Sequence, residues 1–147
     1  MDELILPAGT DPAAVRRLED ALLELPQVDL STQLVVHGRM AARTILIPAG
    51  TVLTGTLTKI DNLCIVVGDI TVTTDEGPQR ITGHRVLTAK AGFKRAGIAH
   101  ADTWWTTIHH TDHTDVQAIE DEMTDEADRL QTRRQALSHT THKEIEA

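Results

Sequence analysis

The chain has 147 residues, of which 40% are hydrophobic and 2% aromatic, and its formal net charge at pH 7 is -8. The length fits one domain, and the acidic balance argues against non-specific nucleic-acid binding, which needs clustered Lys and Arg. The single cysteine, Cys64, cannot form an internal disulfide and is expected to be a buried free thiol. The sequence shows no signal peptide and no apolar run near the roughly 20 residues of a membrane span, so we expect a cytoplasmic protein with no membrane partner.

A first helix is predicted over residues 11–25, within an N-terminal segment of residues 1–30. Asp11 is a good N-cap, and Pro12 suits the first helical position. Pro26 ends the helix. Its apolar stripe consists of Val15, Leu18, Leu22 and Leu25. We interpret it as a packing helix without a chemical role.

Residues 31–111 are predicted to be all-β, because short β-rich runs alternate with Gly, Pro, Asp and Asn turn signals. Two such turns are expected at Gly68-Asp69 and at residues 75–78. The predicted strands are Leu34–Val36, Thr44–Ile47, Val52–Thr58, Leu63–Val67, Ile70–Thr74, Val86–Thr88 and Trp104–Ile108. Many short strands at near-regular spacing predict a sandwich or a barrel.

A second helix is predicted over residues 114–137, within a C-terminal segment of residues 112–147. Thr114 or Asp115 can cap it, and acidic residues precede basic ones along it, as the helix dipole favours. Its thin apolar stripe consists of Val116, Ile119, Met123, Leu130 and Leu137. The stripe could pack on the barrel or form a short coiled-coil seam with a partner subunit, and packing on the barrel is the preferred interpretation.

Three blocks resemble the cupin superfamily: IPAGT at residues 47–51, GDITV at 68–72 and AGFKR at 91–95. The stretch at residues 94–109 more specifically resembles a group of small cupin-like proteins encoded by tailed bacteriophages. The resemblance covers about residues 45–122. It implies a mainly β, cupin-like jelly-roll barrel, here flanked by an N-terminal and a C-terminal α-helix. It also implies a location in the bacterial host cell, with association with the virion as an alternative.

The residues at the cupin metal positions depart from the family pattern. In that superfamily a His-x-His pair, a Glu and a later His bind a metal ion. The resemblance places Thr56 and Thr58 at the pair, Asp61 or Asn62 at the Glu, and Arg95 at the last His. Neutral Thr is a poor ligand for a transition metal, and Arg cannot lose its proton to become one. We therefore expect no metal and no other cofactor, and the metal-dependent chemistry of cupins does not carry over.

In this register Arg95 points into the barrel mouth, with Lys94 and Lys90 nearby. An inward guanidinium needs an anionic or carbonyl partner, because a buried unpaired charge is very costly. The partner could be internal, such as Asp61 or Asp102, or it could be a bound anion such as a phosphate or a nucleotide. Internal pairing is the favoured interpretation, since proteins usually satisfy their own charges.

Two clusters of side chains near the end of the last strand allow alternative interpretations. His109, His110 and His113 suggest a metal site, but neighbouring strand residues point to opposite faces, so His109 and His110 cannot both face one ion. A strand end followed by a polar loop is preferred. For the same reason one of Trp104 and Trp105 faces inward and the other outward.

The leading functional prediction is a non-enzymatic, phage-type cupin that binds a small anionic ligand, a nucleotide signal among the candidates, in or near the barrel. The predicted ligand-binding residues are Arg95, Lys94, Thr56, Thr58, Asn62 and His109. A structural or accessory virion component is the first alternative, and an enzyme with a non-standard cupin active site, for which no catalytic residue is assigned, is the second. A homodimer is expected, because an open strand edge needs cover.

Overall fold

In the part of the chain that the structure describes, seven strands form one antiparallel sheet, with a helix on either side of them along the chain. The computed structural model describes Leu6 and residues 11–133. The elements in chain order are α1 (Pro12–Leu23), β1 (Gln33–His37), β2 (Met40–Ile47), β3 (Val52–Thr54), β4 (Asn62–Thr74), β5 (Gly77–Ala89), β6 (Ala96–Ala99), β7 (Thr103–His110), α2 (Val116–Met123) and a short 3-10 helix (Ala127–Arg129). The mainly β prediction is confirmed. Neither helix of the described part is long and apolar enough to cross a membrane.

The long strand β4 organises the sheet. One of its edges pairs with β5 along the whole strand, from Asn62 opposite Ala89 to Thr74 opposite Gly77. On its other edge, the first half of β4 pairs with β7 and the second half pairs with β6. β7 leads on to β2 and β1, whereas β6 leads on to β3. The strands β7, β2 and β1 on one side and β6 and β3 on the other curl away from the paired strands β4 and β5. The sheet is therefore a half-barrel.

Gly68 marks the point where β4 changes partner. The predicted turn at Gly68-Asp69 is wrong, because β4 runs through both residues without a break. A Cβ on Gly68 would lie 2.5 Å from the Thr103 hydroxyl and 2.8 Å from the Asp102 carbonyl oxygen, and its φ of +151° suits glycine. The Thr103 hydroxyl oxygen also accepts a hydrogen bond from the Asp69 amide at 3.1 Å. Glycine at position 68 lets β4 pass close to the backbone of Asp102 and Thr103, and it does not reverse the chain.

Other strand boundaries differ from prediction for reasons of composition and burial. β5 is far longer than the predicted Val86–Thr88, since most of its residues are exposed and its apolar side chains give no sustained alternating signal. β6 was not predicted because its four residues, AGIA, are mostly small. β3 ends at Thr54 instead of Thr58, and the Gly55 amide then donates to the Arg95 carbonyl oxygen at 2.9 Å.

The main core lies on the inner face of the sheet. It consists of Ile47, Val66, Ile70, Val72, Ile81 and Ala99, with Trp105 packed against them. Trp105 is therefore the inward tryptophan, whereas Trp104 is 45% exposed on the outer face. This outcome confirms that the two neighbours face opposite ways.

The described parts of both terminal segments pack on the barrel. Val15 of α1 is fully buried against Leu6 and Ala96, and α2 buries Ile119 and Met123. The preference for packing the second helix on the barrel is thus confirmed. Its predicted length is wrong within the described residues, because α2 ends at Met123.

Tertiary contacts end α2. Thr124 is extended and forms a β-bridge with Thr58, and its hydroxyl donates to the Leu57 carbonyl oxygen at 2.6 Å. The chain therefore leaves the helix in order to contact the barrel. Arg134 and Leu137, which the prediction included in this helix, lie outside the described residues.

Candidate functional site

A cavity of about 670 Å³ opens on the inner face of the half-barrel. The inward side chains of β2, β4 and β7 form one wall, among them Ile45, Cys64 and Trp105. The segment that follows α1 and residues Leu130 and Gln131 form another. Gln131 connects the two parts of this second wall. Its side chain accepts a hydrogen bond from the Leu30 amide at 2.9 Å and donates one to the Val28 carbonyl oxygen. The cavity is thus bounded by parts of the chain about 100 residues apart.

Four of the six predicted ligand-binding residues line this cavity: Thr56, Thr58, Asn62 and Arg95. They come from the loop after β3, the first residue of β4 and the residue before β6. The structure therefore brings these four residues together on one cavity. Lys94 and His109 do not line it.

The Arg95 guanidinium is partly buried and lacks a carboxylate partner. Nη1 donates to the Thr73 carbonyl oxygen at 3.0 Å, and the guanidinium lies 5.4 Å from the Phe93 ring centre. Within the described part of the chain, no carboxylate oxygen comes within 4.0 Å of it. Burial lowers the pKa of Arg95, and the nearby Cys64 and Asp75 oppose part of that change. The guanidinium therefore has donors to spare in a poorly hydrated position.

The internal carboxylate partners favoured by the sequence are engaged elsewhere. Asp61 accepts a hydrogen bond from the Ala91 amide, and Asp102 accepts one from the Ala49 amide, both at 2.9 Å. Each carboxylate thus fixes a turn of the backbone. The expectation that one of them pairs with Arg95 is wrong, and the internal partner of Arg95 is a single carbonyl oxygen.

Two threonine hydroxyls on the cavity wall, those of Thr32 and Thr58, are buried without any hydrogen-bond partner among the described residues. A buried hydroxyl without a partner costs free energy. Asn62 is better satisfied, since its Nδ2 donates to the Ile60 carbonyl oxygen at 3.1 Å and its Oδ1 lies 3.5 Å from the Cys64 sulfur. The cavity therefore presents one under-used cation and unused hydroxyl groups.

Solved structures with similar folds include a protein named as a cupin. KdgF from a Halomonas species is 15% identical with a TM-score of 0.50, and the match covers 59% of this chain and 84% of KdgF. A cupin 2 conserved barrel domain protein from Leptotrichia buccalis is 8% identical with a TM-score of 0.50, over 63% of this chain and 46% of that chain. The described chain has a cupin fold. At these identities the likeness shows the fold alone, and neither a family model nor a curated protein sequence matches the chain.

The residues that the sequence resemblance places at the cupin metal positions do not fit a transition metal. Thr56, Thr58 and Asn62 supply neutral oxygens, and Arg95 supplies a cation, whereas Asp61, the alternative to Asn62, accepts from the Ala91 amide and does not line the cavity. Transition-metal sites in proteins use imidazole, thiolate or carboxylate ligands. Among the described residues, no group of three or more His, Cys, Asp or Glu side chains is arranged to hold a metal.

Lys94 is fully buried on the other side of the chain from Arg95 and holds an ion-pair network together. Its Nζ donates to Glu126 at 2.7 Å, to the Gly55 carbonyl oxygen at 2.9 Å and to Glu19 at 3.1 Å. We call the network the Lys94 cluster, and its members are Lys94, Glu19, Glu126, Arg16, Arg129 and Asp20. All three ammonium donors of Lys94 have partners, so we do not retain it among the ligand contacts.

Glu126 joins the C-terminal segment to this cluster. Burial alone would raise its pKa, but hydrogen bonds from Lys94, the Leu57 amide and Arg16 outweigh burial and lower the pKa to about 2. Arg16 belongs to α1, Lys94 to the segment before β6, and Glu126 to the chain after α2. The carboxylate therefore links both ends of the described chain to the barrel.

His109 is buried on the inner face of β7, beyond the cavity wall. Its Nδ1 lies 3.1 Å from the His110 carbonyl oxygen, and His110 is exposed on the opposite face. His113 lies 3.3 Å from Glu122. These positions agree with a strand end followed by a polar loop, and we do not retain His109 among the ligand contacts.

Proposed function

We propose that this protein is a non-enzymatic, cupin-fold binding protein that takes a small anion in the barrel cavity, with Arg95 as the main charged contact. One observation carries the proposal. Glu19, Arg43 and Arg129 also line the cavity, but each has an ion-pair partner, whereas Arg95 has none within the described residues. A partly buried cation without a counter-ion is costly, so a bound anion would stabilise it.

The neighbouring polar groups suit the same role. The guanidinium fork can donate to two oxygens of one anion. The Thr58 hydroxyl, which has no partner among the described residues, is available as an additional donor, and the Asn62 amide lies on the same wall. Thr56 completes the polar side of the cavity. Phosphate, nucleotide and carboxylate groups all fall within this ligand class.

The biological setting that we propose rests on the resemblance of residues 94–109 to small cupin-like proteins of tailed bacteriophages. That stretch contributes Arg95 and Trp105 to the cavity wall. We place the protein in the cytoplasm of a bacterial host, where a nucleotide signal is one ligand to screen.

A thermal-shift screen of phosphate, nucleotides, sugar phosphates and carboxylates tests the binding function. We expect at least one anion to raise the melting temperature of the wild type. Arg95→Lys should weaken the effect and Arg95→Ala should nearly abolish it, because a charge-assisted hydrogen bond contributes roughly 1.5–3 kcal/mol, or at least about tenfold in affinity. If no anion stabilises the wild type while Arg95→Ala melts several degrees lower, Arg95 is structural and the proposal fails.

We also propose that the protein forms a homodimer through the outer face of the sheet. Cross-strand neighbours on that face are apolar: Trp104 lies opposite Val67, and Leu63 lies opposite the half-buried Ile108. Trp104, Val67 and Leu63 are 45%, 43% and 44% exposed. Contiguous apolar patches of this kind mark interaction surfaces, and exposed aromatic side chains are enriched there.

Light scattering at micromolar concentration tests the dimer. We expect the wild type to have the mass of two chains and Trp104→Arg to have the mass of one, because the variant puts an unpaired charge into the apolar face. Val116→Arg is the matched control, since Val116 is 49% exposed but lies on α2, away from that face. A monomeric wild type would contradict the proposal, as would dissociation of the control alone.

A further inference from the structure

The charges around the cavity leave a single positive charge unbalanced among the described residues. In the Lys94 cluster, Lys94, Arg16 and Arg129 stand against Glu19, Glu126 and Asp20. Arg43 pairs with Glu120 at 3.2 Å, and Glu120 also binds Arg133, which pairs in turn with Asp121. Among the charged side chains that line the cavity, Arg95 alone has no ion-pair partner within the described residues, and Asp75 acts on it only from beyond ion-pair distance. A ligand with one negative charge would complete the balance.

The remainder of the cavity wall is mostly apolar. Ile45, Val52 and Leu53 lie on it, and Trp105 packs beside them. At the rim, the apolar side chains of Leu23, Leu25 and Val28 are 37%, 58% and 44% exposed. Covering such surface is favourable by roughly 25 cal/mol per Å². The volume of about 670 Å³ falls within the range of roughly 300–1,000 Å³ found for small-molecule sites.

A multiply charged ligand suits these surroundings poorly. A phosphate ester or a nucleotide would bring negative charge beyond the one that Arg95 can neutralise, together with polar groups that an apolar wall leaves unsatisfied. The net charge of -8 also opposes the approach of polyanions. A carboxylate has one charge and two oxygens, which match the guanidinium fork.

We propose that the ligand is a monocarboxylate with an aliphatic or aromatic body. Its two oxygens bind Arg95, the Thr58 hydroxyl donates to one of them, and its apolar body lies against Ile45, Leu53 and Trp105. This inference rests on the proposed anion-binding function and narrows it to one chemical class.

Calorimetric titration with straight-chain carboxylates from acetate to decanoate tests the class. We expect affinity to rise about fourfold for each added CH2 until the cavity is filled. This fold-change corresponds to the free energy of about 0.8 kcal/mol gained when one CH2 group is buried. Octanol and octylamine, which share the body but lack the anion, should bind at least tenfold more weakly than octanoate. Arg95→Met and Arg95→Gln should each reduce octanoate affinity at least tenfold, and Gln preserves a donor for the Thr73 carbonyl oxygen. Lys90→Met, which removes an exposed cation outside the cavity, should bind like the wild type.

The outcomes separate this inference from the proposed function. If phosphate or a nucleotide binds in an Arg95-dependent way and no carboxylate does, the monocarboxylate assignment is overturned while anion binding stands. If octanol binds as tightly as octanoate, the charge is irrelevant and the assignment is also overturned. If no anion binds at all, both proposals fall.

Discussion

Lys94 and Arg95 are consecutive cations in one extended segment, and they face opposite ways into contrasting surroundings. Lys94 is fully buried, and its ammonium contacts two carboxylates and a carbonyl oxygen. Arg95 borders a cavity and has one carbonyl partner. Successive side chains of an extended segment point to opposite sides, so Lys94 enters the Lys94 cluster while Arg95 faces the cavity. Burial of a cation is therefore not by itself a sign of function, and the number of donors without partners is the better indicator.

The largest expected effect is on stability and separates these two cations. Lys94→Met should lower the free energy of unfolding by about 3–5 kcal/mol, because it removes the fully buried cation that Glu19 and Glu126 share and leaves each carboxylate with only its arginine partner at the edge of the cluster. Arg95→Met should change it by no more than about 1 kcal/mol, since the variant loses one hydrogen bond but also removes an unpaired charge. Urea unfolding measures both.

A double variant provides the control for the first of these effects. Lys94→Met with Glu126→Gln should recover part of the loss, because one of the two carboxylates that lost the Lys94 ammonium has become neutral. Equal costs for the two single Met variants would refute the contrast between the cluster and the cavity.

An intermediate effect concerns acid stability. The folded-state pKa of Glu126, about 2, lies below its usual value of 4.5, so its stabilising contribution is complete above about pH 4.5 and is lost as the pH falls towards 2. Unfolding free energies measured across this window should fall with acidification, and Glu126→Gln should flatten that part of the profile. Asp125→Asn is the neighbouring control, because Asp125 is 84% exposed in a surface pair with Lys59. If the unfolding free energy of Glu126→Gln fell with acidification as steeply as that of the wild type, the role of Glu126 in the cluster would be contradicted.

The smallest expected effect is the change in unfolding free energy when either of two buried threonines is replaced by valine, and its sign differs between the two sites. Thr58→Val should raise the unfolding free energy by about 1 kcal/mol, because its hydroxyl is buried without a partner. Thr73→Val should lower it by about 1–2 kcal/mol, because the Thr73 hydroxyl is fully buried and accepts from the Ala96 amide at 3.0 Å. Thermal or urea unfolding of the two variants gives the comparison. Destabilisation of similar size at both sites would mean that the Thr58 hydroxyl has a partner in solution.

The position of the cavity residues could be predicted because the cupin register depends on short local blocks. Counting from Gly50 places Thr56 and Thr58 on the cavity, and counting into the AGFKR block places Arg95 there. Lys94 was assigned to the same site from proximity in sequence. The alternation of an extended chain sends it the other way, and the sequence carried that signal in the adjacency of the two cations.

Long-range contacts explain most of what the sequence did not predict. The apolar repeat from Val116 onward predicts a helix beyond Met123, but hydrogen bonding of Thr124 to Leu57 and of Glu126 to Lys94 ends it. The second cavity wall depends on Gln131 holding the segment after α1, a contact between residues about 100 apart. Local composition contains no information about such pairs.

The position of Cys64 gives the cavity a built-in chemical reporter. It is the only cysteine of the chain, it lies on the cavity wall, and burial raises the pKa of its thiol while the charge of Arg95 opposes part of that rise. An anion bound to Arg95 would neutralise its charge. The pKa of the Cys64 thiol would then rise further, and the thiolate would be harder to form. Alkylation of Cys64 under alkaline conditions should therefore slow when the cavity is occupied, so a single mass-spectrometric label would record occupancy without any change to the protein.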